Sequence, residues 1–228
     1  MPSAVLVHGA GGGAWEWNLW RPVLAAAGWE VVALELQPAA AGVAATSLQD
    51  YIDQVTEAVE GMPRPRAVIG ASLGGLLAVA CAGKADALVL VNPLPPAPWH
   101  LKLLSRQWDD VVGWRRNARL PSTRDAMPDA DDASAMHAFR HWRDESGQVM
   151  RQASAGFEVA VPGCPALFVV SHRDEAIAPD IISAWSTAWE AELVETIATS
   201  HVGPLLGSQA PSIALQAVAW LNRQSAFR

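Results

Sequence analysis

One serine of this chain lies in a glycine-containing sequence motif that is typical of a reactive side chain. Gly70-Ala71-Ser72-Leu73-Gly74 has the pattern G-x-S-x-G and lies between an apolar β-branched run and an apolar helical run. A serine on so sharp a strand-to-helix turn adopts strained backbone angles, and small neighbours let strand and helix approach while the hydroxyl projects from the sheet edge. The pattern therefore predicts that Ser72 is a nucleophile.

A serine hydroxyl needs a base to take its proton and an acid to orient that base. In a parallel sheet, both come from loops at the carboxyl ends of later strands. Asp174 follows the apolar run Ala166 to Ser171, and the run Glu192 to Ile197 is followed by His201. We predict that His201 is the base and that Asp174 orients it, with Glu175 as the alternative acid.

The tetrahedral intermediate of acyl transfer needs two N–H donors for its oxyanion. Leu73 supplies one, because its N–H directly follows the serine. The glycine-rich stretch after the first predicted strand, His8 to Gly13, permits close backbone approach and predicts Ala10 as the second donor. Nucleophile, base and donors are then all protein groups, so we expect no metal and no organic cofactor.

The elements that must position these groups follow from alternating patterns. Short β-branched runs alternate with helical patterns such as Ser47 to Glu60, which is typical of an α/β fold with a buried parallel sheet. We predict a mostly parallel sheet of about six strands flanked by helices. The predicted strands are Ala4 to Val7, Glu30 to Leu36, Ala67 to Gly70, Ala87 to Val91, Ala166 to Ser171 and Glu192 to Ile197.

The alternation stops after the fourth predicted strand. The stretch Asn92 to Pro98 is proline-rich and cannot continue a strand or helix. The residues that follow are helical in composition and rich in arginine, which predicts an inserted helical cap over about 93–156 within a single domain, 1–228. Bulky aromatics suit the roof of an apolar pocket. The predicted pocket residues are Trp15, Trp99, Trp108, Trp114 and Trp142.

Composition limits the possible partners. Half of the 228 residues are hydrophobic and 17% are charged, which is typical of a globular domain. A net charge of -7 would repel a phosphate backbone, so nucleic acid is not an expected partner. No apolar run is long enough to cross a membrane, and because the first residues have no basic region followed by a long apolar region, we expect no signal peptide. We expect a cytoplasmic monomer or homodimer that binds a small-molecule acyl substrate, with Cys81 and Cys164 unpaired.

The chain resembles the α/β-hydrolases, in particular the branch of plant methylesterases and hydroxynitrile lyases with its small bacterial esterase relatives. The resemblance rests on HGAGGGAWEW at residues 8–17 and GASLGG at residues 70–75, and it covers all but the predicted cap. It implies an α/β-hydrolase fold and a catalytic triad of Ser72, Asp174 and His201. It also implies a cofactor-independent serine hydrolase of the EC 3.1 class that cleaves a small carboxylic ester, thioester or lactone.

The sequence departs from that family's pattern at two positions. The usual aspartate at the end of the second strand is Glu35 here. The lyases have a lysine directly after the histidine, where this chain has Val202. The second departure favours hydrolysis over cyanohydrin cleavage.

Alternatives from other classes stay open. An acyltransferase, or a receptor that binds a small molecule without turnover, would use the same fold. The stretch Gly9 to Ala14 also matches G-x-G-x-x-A, with Glu35 about 20 residues on, where a dinucleotide-binding oxidoreductase has its ribose acid. His137 and His141 lie four apart on a predicted helix and would be able to share a metal ion, although an exposed helix face is the simpler interpretation.

Overall fold

The computed structural model describes residues 1–228 and contains eight strands and nine α-helices. The strands are β1 (Ser3–Val7), β2 (Glu30–Leu34), β3 (Arg66–Ala71), β4 (Ala87–Val91), β5 (Val111–Val112), β6 (Glu145–Ser146), β7 (Ala166–Ser171) and β8 (Glu192–Thr196). The helices are α1 (Arg21–Ala26), α2 (Leu48–Glu60), α3 (Leu73–Ala80), α4 (Leu120–Ala126), α5 (Asp132–His141), α6 (Gly147–Ser154), α7 (Pro179–Ala188), α8 (Gly203–Leu206) and α9 (Ala210–Leu221).

Six of the strands form one parallel sheet in the order β2-β1-β3-β4-β7-β8. The predicted six-stranded sheet flanked by helices is confirmed, with strand ends shifted by one or two residues. Because every strand runs the same way, all carboxyl ends lie at one edge of the sheet. The loops that follow β1, β3, β7 and β8 therefore meet there, and these loops carry the residues predicted to do chemistry.

Alternate residues of each central strand pack into two hydrophobic cores, one on each face of the sheet. In β1, Val5 and Val7 pack into the core beneath α2 and α3, while Ala4 and Leu6 pack into the core beneath α1 and α9. Successive side chains of a strand point to opposite faces, so a strand covered on both faces is apolar at every position. All five residues of β1 and of β4 are buried.

Two helices show why the sequence folds as it does around the sheet. The side chain of Ser47 accepts a hydrogen bond from Asp50 N–H, and the Asp50 carboxylate accepts one from Ser47 N–H, so α2 begins with a capping box. The helix α3 is apolar all round because it is buried against the sheet, with Leu73 through Val79 inaccessible.

The stretch between β4 and β7 contains α4, α5 and α6, and we refer to residues 93–156 as the inserted segment. The structure departs from a wholly helical insertion, because β5 and β6 pair as an antiparallel ladder, Val111 with Ser146 and Val112 with Glu145. The ladder brings the start of α6 against the body, where the Ser146 hydroxyl donates to the carbonyl of Thr46.

Two remaining properties concern the cysteines and the membrane. Cys81 is buried and Cys164 is half-buried, and both thiols are free. Burial raises the pKa of each thiol, which keeps it protonated and unreactive. None of the helices combines the length and the apolar character that a membrane crossing requires.

Candidate active site

Ser72 occupies the turn between β3 and α3 in a strained backbone conformation, with φ 52° and ψ −119°. The turn requires glycine on both sides. A β-carbon on Gly70 would lie 2.1 Å from the Gly74 carbonyl oxygen, and one on Gly74 would lie 2.2 Å from the Val7 carbonyl oxygen. The Ser72 N–H donates to the Val91 carbonyl at 3.0 Å, which fixes the turn against β4. The strain is therefore held by the surrounding packing and presents the hydroxyl at the sheet edge.

His201 and Asp174 lie together at the same edge. The Asp174 side chain is fully buried, and its Oδ2 accepts a hydrogen bond from His201 Nδ1 at 2.6 Å. Its Oδ1 accepts from the N–H groups of Ala176 and Ile177. Each oxygen of the buried carboxylate therefore has a donor, and the imidazole is held with Nδ1 on the acid, which leaves Nε2 as the basic nitrogen.

Ser72 and His201 line one cavity. No hydrogen bond joins the Ser72 hydroxyl to the imidazole in this structure. Nucleophile–base hydrogen bonds are often long in unliganded sites and tighten when a substrate binds. The structure thus brings Ser72, His201 and Asp174 to one rim of the sheet, and Glu175, the alternative acid, is exposed.

The loop that carries His201 is held by two polar side chains that the sequence analysis did not single out. Buried Asn92 donates to the His201 carbonyl at 2.7 Å and to Ser171 Oγ, and its Oδ1 accepts from Ser171 N–H. Asp129, from the inserted segment, accepts hydrogen bonds from the backbone and hydroxyl groups of Thr199 and Ser200. Burial alone would raise the pKa of Asp129, but these hydrogen bonds outweigh it and lower the pKa.

Three carboxylates hold the glycine-rich loop after β1. Each accepts one backbone N–H from the loop at 2.8–3.0 Å, so three of the loop amides already have a carboxyl acceptor. Buried Glu145 also accepts from the Tyr51 hydroxyl, and desolvation together with this contact raises the tyrosine pKa. The three pairs are Gly9 with Glu16, Gly11 with Glu145 and Ala14 with Glu35.

Arg143 completes the support of this loop from the inserted segment. Its Nε donates to the Gly12 carbonyl at 2.7 Å and its backbone N–H donates to the Gly11 carbonyl at 2.8 Å. Its Nη1 pairs with Glu35 at 2.5 Å and also donates to the Leu36 carbonyl. The planar guanidinium thus ties the loop to the end of β2, a geometry that lysine does not reproduce.

These contacts overturn the dinucleotide interpretation of the glycine-rich loop. A pyrophosphate would need the loop N–H groups free and a positive or neutral surround. Here carboxylates already occupy those N–H groups, and Glu35, the predicted ribose acid, is bound to Ala14 and Arg143. Three of the loop N–H groups are therefore unavailable to a pyrophosphate.

The predicted oxyanion donors remain unpaired. Ala10 N–H makes no hydrogen bond to the protein, and Leu73 N–H is at the first position of α3, where no helical acceptor exists. Gly9 and Ala10 line the cavity beside Ser72. Ala10 thus lines the same cavity as Ser72, and Leu73 follows Ser72 directly, so both N–H groups stay candidates for binding an oxyanion.

The cavity has a volume of about 630 Å³ and is walled by the inserted segment opposite Ser72. Three of the five predicted pocket tryptophans line it, namely Trp108, Trp114 and Trp142. Trp15 and Trp99 do not, so this part of the pocket prediction is corrected. Trp15 packs against the stacked rings of His137 and His141 as well as Trp142, and Trp99 stacks on Trp185. Both tryptophans therefore pack at the contact between the inserted segment and the rest of the domain.

Two buried titratable groups, His8 and Glu16, lie on the glycine-rich loop and on the short helix that follows it. Burial lowers the pKa of His8 to about 4, and its neutral ring accepts from Leu36 N–H through Nε2 while Nδ1 faces the Gly9 carbonyl. Burial raises the pKa of Glu16 to about 7, against the opposing effects of the Gly9 N–H and His201. Glu16 lines the cavity and was missed by the sequence analysis; the available signal is an acidic residue between two tryptophans.

The chain belongs to the alpha/beta hydrolase family, whose model matches residues 4–213. Among curated proteins it is similar to an alpha-hydroxynitrile lyase from Arabidopsis thaliana, with 34% identity over 109 residues. The match spans less than half of that protein, 42% of its length and 42% of this chain.

Solved structures of similar fold include plant enzymes. Polyneuridine aldehyde esterase is 17% identical with a TM-score of 0.76, and the match covers 97% of this chain and 99% of that one. Tomato methylketone synthase I with bound 2-tridecanone is 17% identical with a TM-score of 0.78, covering 98% and 99%. A methylesterase from Arabidopsis is 14% identical with a TM-score of 0.72, covering both chains fully. These similarities establish the fold.

Proposed function

We propose that this protein is a serine hydrolase that cleaves a small-molecule carboxylic ester, or a thioester or lactone, through an acyl-enzyme on Ser72. The observation that carries the proposal is the pairing of His201 with buried Asp174 at the cavity that Ser72 also lines. The esterases among proteins of similar fold support hydrolysis as the reaction class.

The proposed reaction uses only protein groups and water. His201 Nε2 takes the Ser72 proton as Oγ attacks the acyl carbonyl, and the N–H groups of Ala10 and Leu73 hold the oxyanion. His201 then returns the proton to the leaving alcohol as the C–O bond breaks. A water molecule, deprotonated by His201, attacks the acyl-enzyme and releases the acid, and Ser72 regains its proton.

The inserted segment is proposed to act as the cap of this site. Trp108 and Trp114 pack edge to face on the cavity wall and offer an apolar surface for the acyl group. Val202 lines the cavity next to His201 and carries no charge for a leaving cyanide, which supports hydrolysis over cyanohydrin cleavage. Two alternatives on the same fold are acyl transfer to an amine or alcohol, and ligand binding without turnover.

Labelling with a fluorophosphonate tests the nucleophile. Wild type is expected to form one covalent adduct, Ser72→Ala none, and Ser122→Ala, a matched change of another cavity-lining serine, the wild-type amount. Turnover of a reactive ester is expected to fall on the order of 10⁴-fold or more in Ser72→Ala. Equal labelling of wild type and Ser72→Ala, measured by intact mass, would show that the nucleophile is a different residue.

A panel of esters, thioesters and lactones then separates the alternatives. Hydrolysis predicts release of free acid. Added alcohols or amines that divert most of the acyl group at millimolar concentration would indicate an acyltransferase. Labelling of Ser72 with no turnover of any member of the panel would favour the receptor.

A further inference from the structure

Glu16 places a buried carboxyl group in the candidate site, and only one of its two oxygens is used to hold the glycine-rich loop. It lies on a short 3-10 helix, Ala14–Trp17, and is 3% exposed. Its Oε2 accepts a hydrogen bond from Gly9 N–H at 3.0 Å, and its Oε1 accepts none from the protein. Since the residue lines the cavity, the free acceptor is available to a bound molecule.

The carboxyl group lies near Ser72. The point where a β-carbon of Gly9 would project is 3.3 Å from Ser72 Cβ and 3.8 Å from Glu16 Oε2, so Ser72 Cβ and this oxygen, which also accepts from Gly9 N–H, are no more than about 7 Å apart. Ala10, the proposed oxyanion donor, follows directly. Gly12 leaves room for the carboxyl group, because a β-carbon there would lie 2.1 Å from Oε1.

The titratable and charged side chains that face Glu16 come from three parts of the molecule. They are His201 after β8, Arg143 of the inserted segment and Glu35 after β2, and the neighbouring His8 is neutral. Burial is nevertheless the largest influence and raises the Glu16 pKa to about 7. Because Oε1 has no protein donor and is not fully shielded from the cavity, a water molecule or a ligand is able to donate to it.

We propose that Glu16 determines specificity by accepting a hydrogen bond from a donor on the carbon next to the reacting carbonyl, so that the preferred substrates are esters of 2-hydroxy acids. The inference rests on the proposed function, because Ser72 and Ala10 locate the carbonyl. In the acyl-enzyme only two carbon atoms separate this hydroxyl from Ser72 Oγ, and a separation of no more than about 7 Å between Ser72 Cβ and Glu16 Oε2 places the carboxyl group within reach of it.

Matched ester pairs test this specificity. A mandelate ester and the phenylacetate ester of the same alcohol differ only in the 2-hydroxyl group. At pH 8.5, where Glu16 is ionised, wild type is expected to favour the mandelate ester in kcat/KM by about tenfold to a hundredfold, as for a hydrogen bond to a charged group.

Glu16→Gln replaces the free acceptor Oε1 with an NH₂ group, which is a donor. Gly9 N–H can only donate, so it holds the amide oxygen and directs the NH₂ group into the cavity. The preference for mandelate is expected to fall at least tenfold, and a 2-methoxy ester, which only accepts, is expected to gain relative to it. Glu57→Gln, the same change at an exposed residue of α2 outside the cavity, is expected to keep the wild-type preference. An unchanged ratio in Glu16→Gln would overturn the proposal.

Wild type alone provides a second test that does not depend on the variant folding. The mandelate preference is expected to rise with pH through about 7 as the carboxyl becomes a pure acceptor, and a pH-independent ratio would contradict this. If no ester is turned over, the proposed function fails separately. Calorimetry with mandelamide and phenylacetamide then decides the inference: tighter binding of mandelamide supports it, and equal binding overturns it.

Discussion

The amide of Asn92 joins the end of β4 to the loops that follow β7 and β8. The residue has a φ of 40°, a left-handed conformation that asparagine tolerates better than most residues, and it is 1% exposed. All its side-chain hydrogen bonds go to Ser171 and His201. The position of His201, the proposed base, therefore depends on one side chain that lies outside the proposed triad.

We expect Asn92→Ala to lower both stability and turnover. The change leaves Ser171 N–H and the His201 carbonyl without partners in a buried site, at a cost of about 3 kcal/mol in the free energy of unfolding. Greater freedom of the imidazole is expected to lower kcat about tenfold to a hundredfold, with less effect on KM. Urea unfolding and ester kinetics measure the two effects.

Asn117→Ala is the matched control for that variant. Asn117 is an exposed asparagine on the cavity wall, and its side chain makes no hydrogen bond within the protein. If both variants had the same kcat and the same stability, Asn92 would have no part in holding His201.

The inserted segment is tied to both loops of the candidate site. Asp129 precedes α5 and holds the backbone just before His201, while Arg143 and Glu145 follow α5 and hold the glycine-rich loop. The elements of the segment thus connect the proposed base to the proposed oxyanion donors from the side opposite the sheet.

Asp129→Asn is expected to loosen the His201 loop. An amide in place of the carboxylate presents a donor to Ser200 N–H and Thr199 N–H, which are donors themselves. We expect the rate of fluorophosphonate labelling to fall about tenfold. Asp132→Asn, an exposed aspartate three residues along, is the matched control and is expected to label at the wild-type rate. Equal rates for the two variants would count against a role of Asp129 in positioning the base.

The sequence predicts the elements well because their causes are local. The strands are runs of β-branched residues, and the proposed triad residues each follow such a run, so their meeting at one edge depends only on parallel pairing. The hydrogen bonds that hold the loops of the candidate site, in contrast, join residues that are far apart in the sequence. Glu145 contacts Gly11 across 134 positions of the chain, and Asp129 reaches Ser200 across 71. No periodicity encodes such pairs, and they follow only from the path of the inserted segment.

At the scale of the whole molecule, His8 and Glu16 give stability opposite dependences on pH. Folding lowers the His8 pKa from 6.5 to about 4, so the unfolded chain binds more protons in that window and stability rises with pH. Folding raises the Glu16 pKa from 4.5 to about 7, so the native state binds more protons there and stability falls with pH. The two effects oppose each other over the window they share.

Glu16→Gln is expected to remove the contribution to stability that falls with pH. The stability of the variant minus that of wild type should increase by about 3 kcal/mol between pH 4.5 and pH 7, since the wild-type protein alone carries the raised carboxyl pKa. Urea unfolding at the two pH values measures the difference. Glu175→Gln, at an exposed position, is the control and should show a constant difference. A constant difference for Glu16→Gln as well would refute the assigned ionisation.

The dependence of both loops on one insertion also constrains protein engineering. Replacing the inserted segment with that of another hydrolase would change more than the residues that line the cavity. A chimera that lacks counterparts of Asp129, Arg143 and Glu145 would lose the hydrogen bonds that hold the His201 loop and the glycine-rich loop of the proposed site. Exchange of specificity between relatives would therefore require these three anchors to be transplanted together with the new lining.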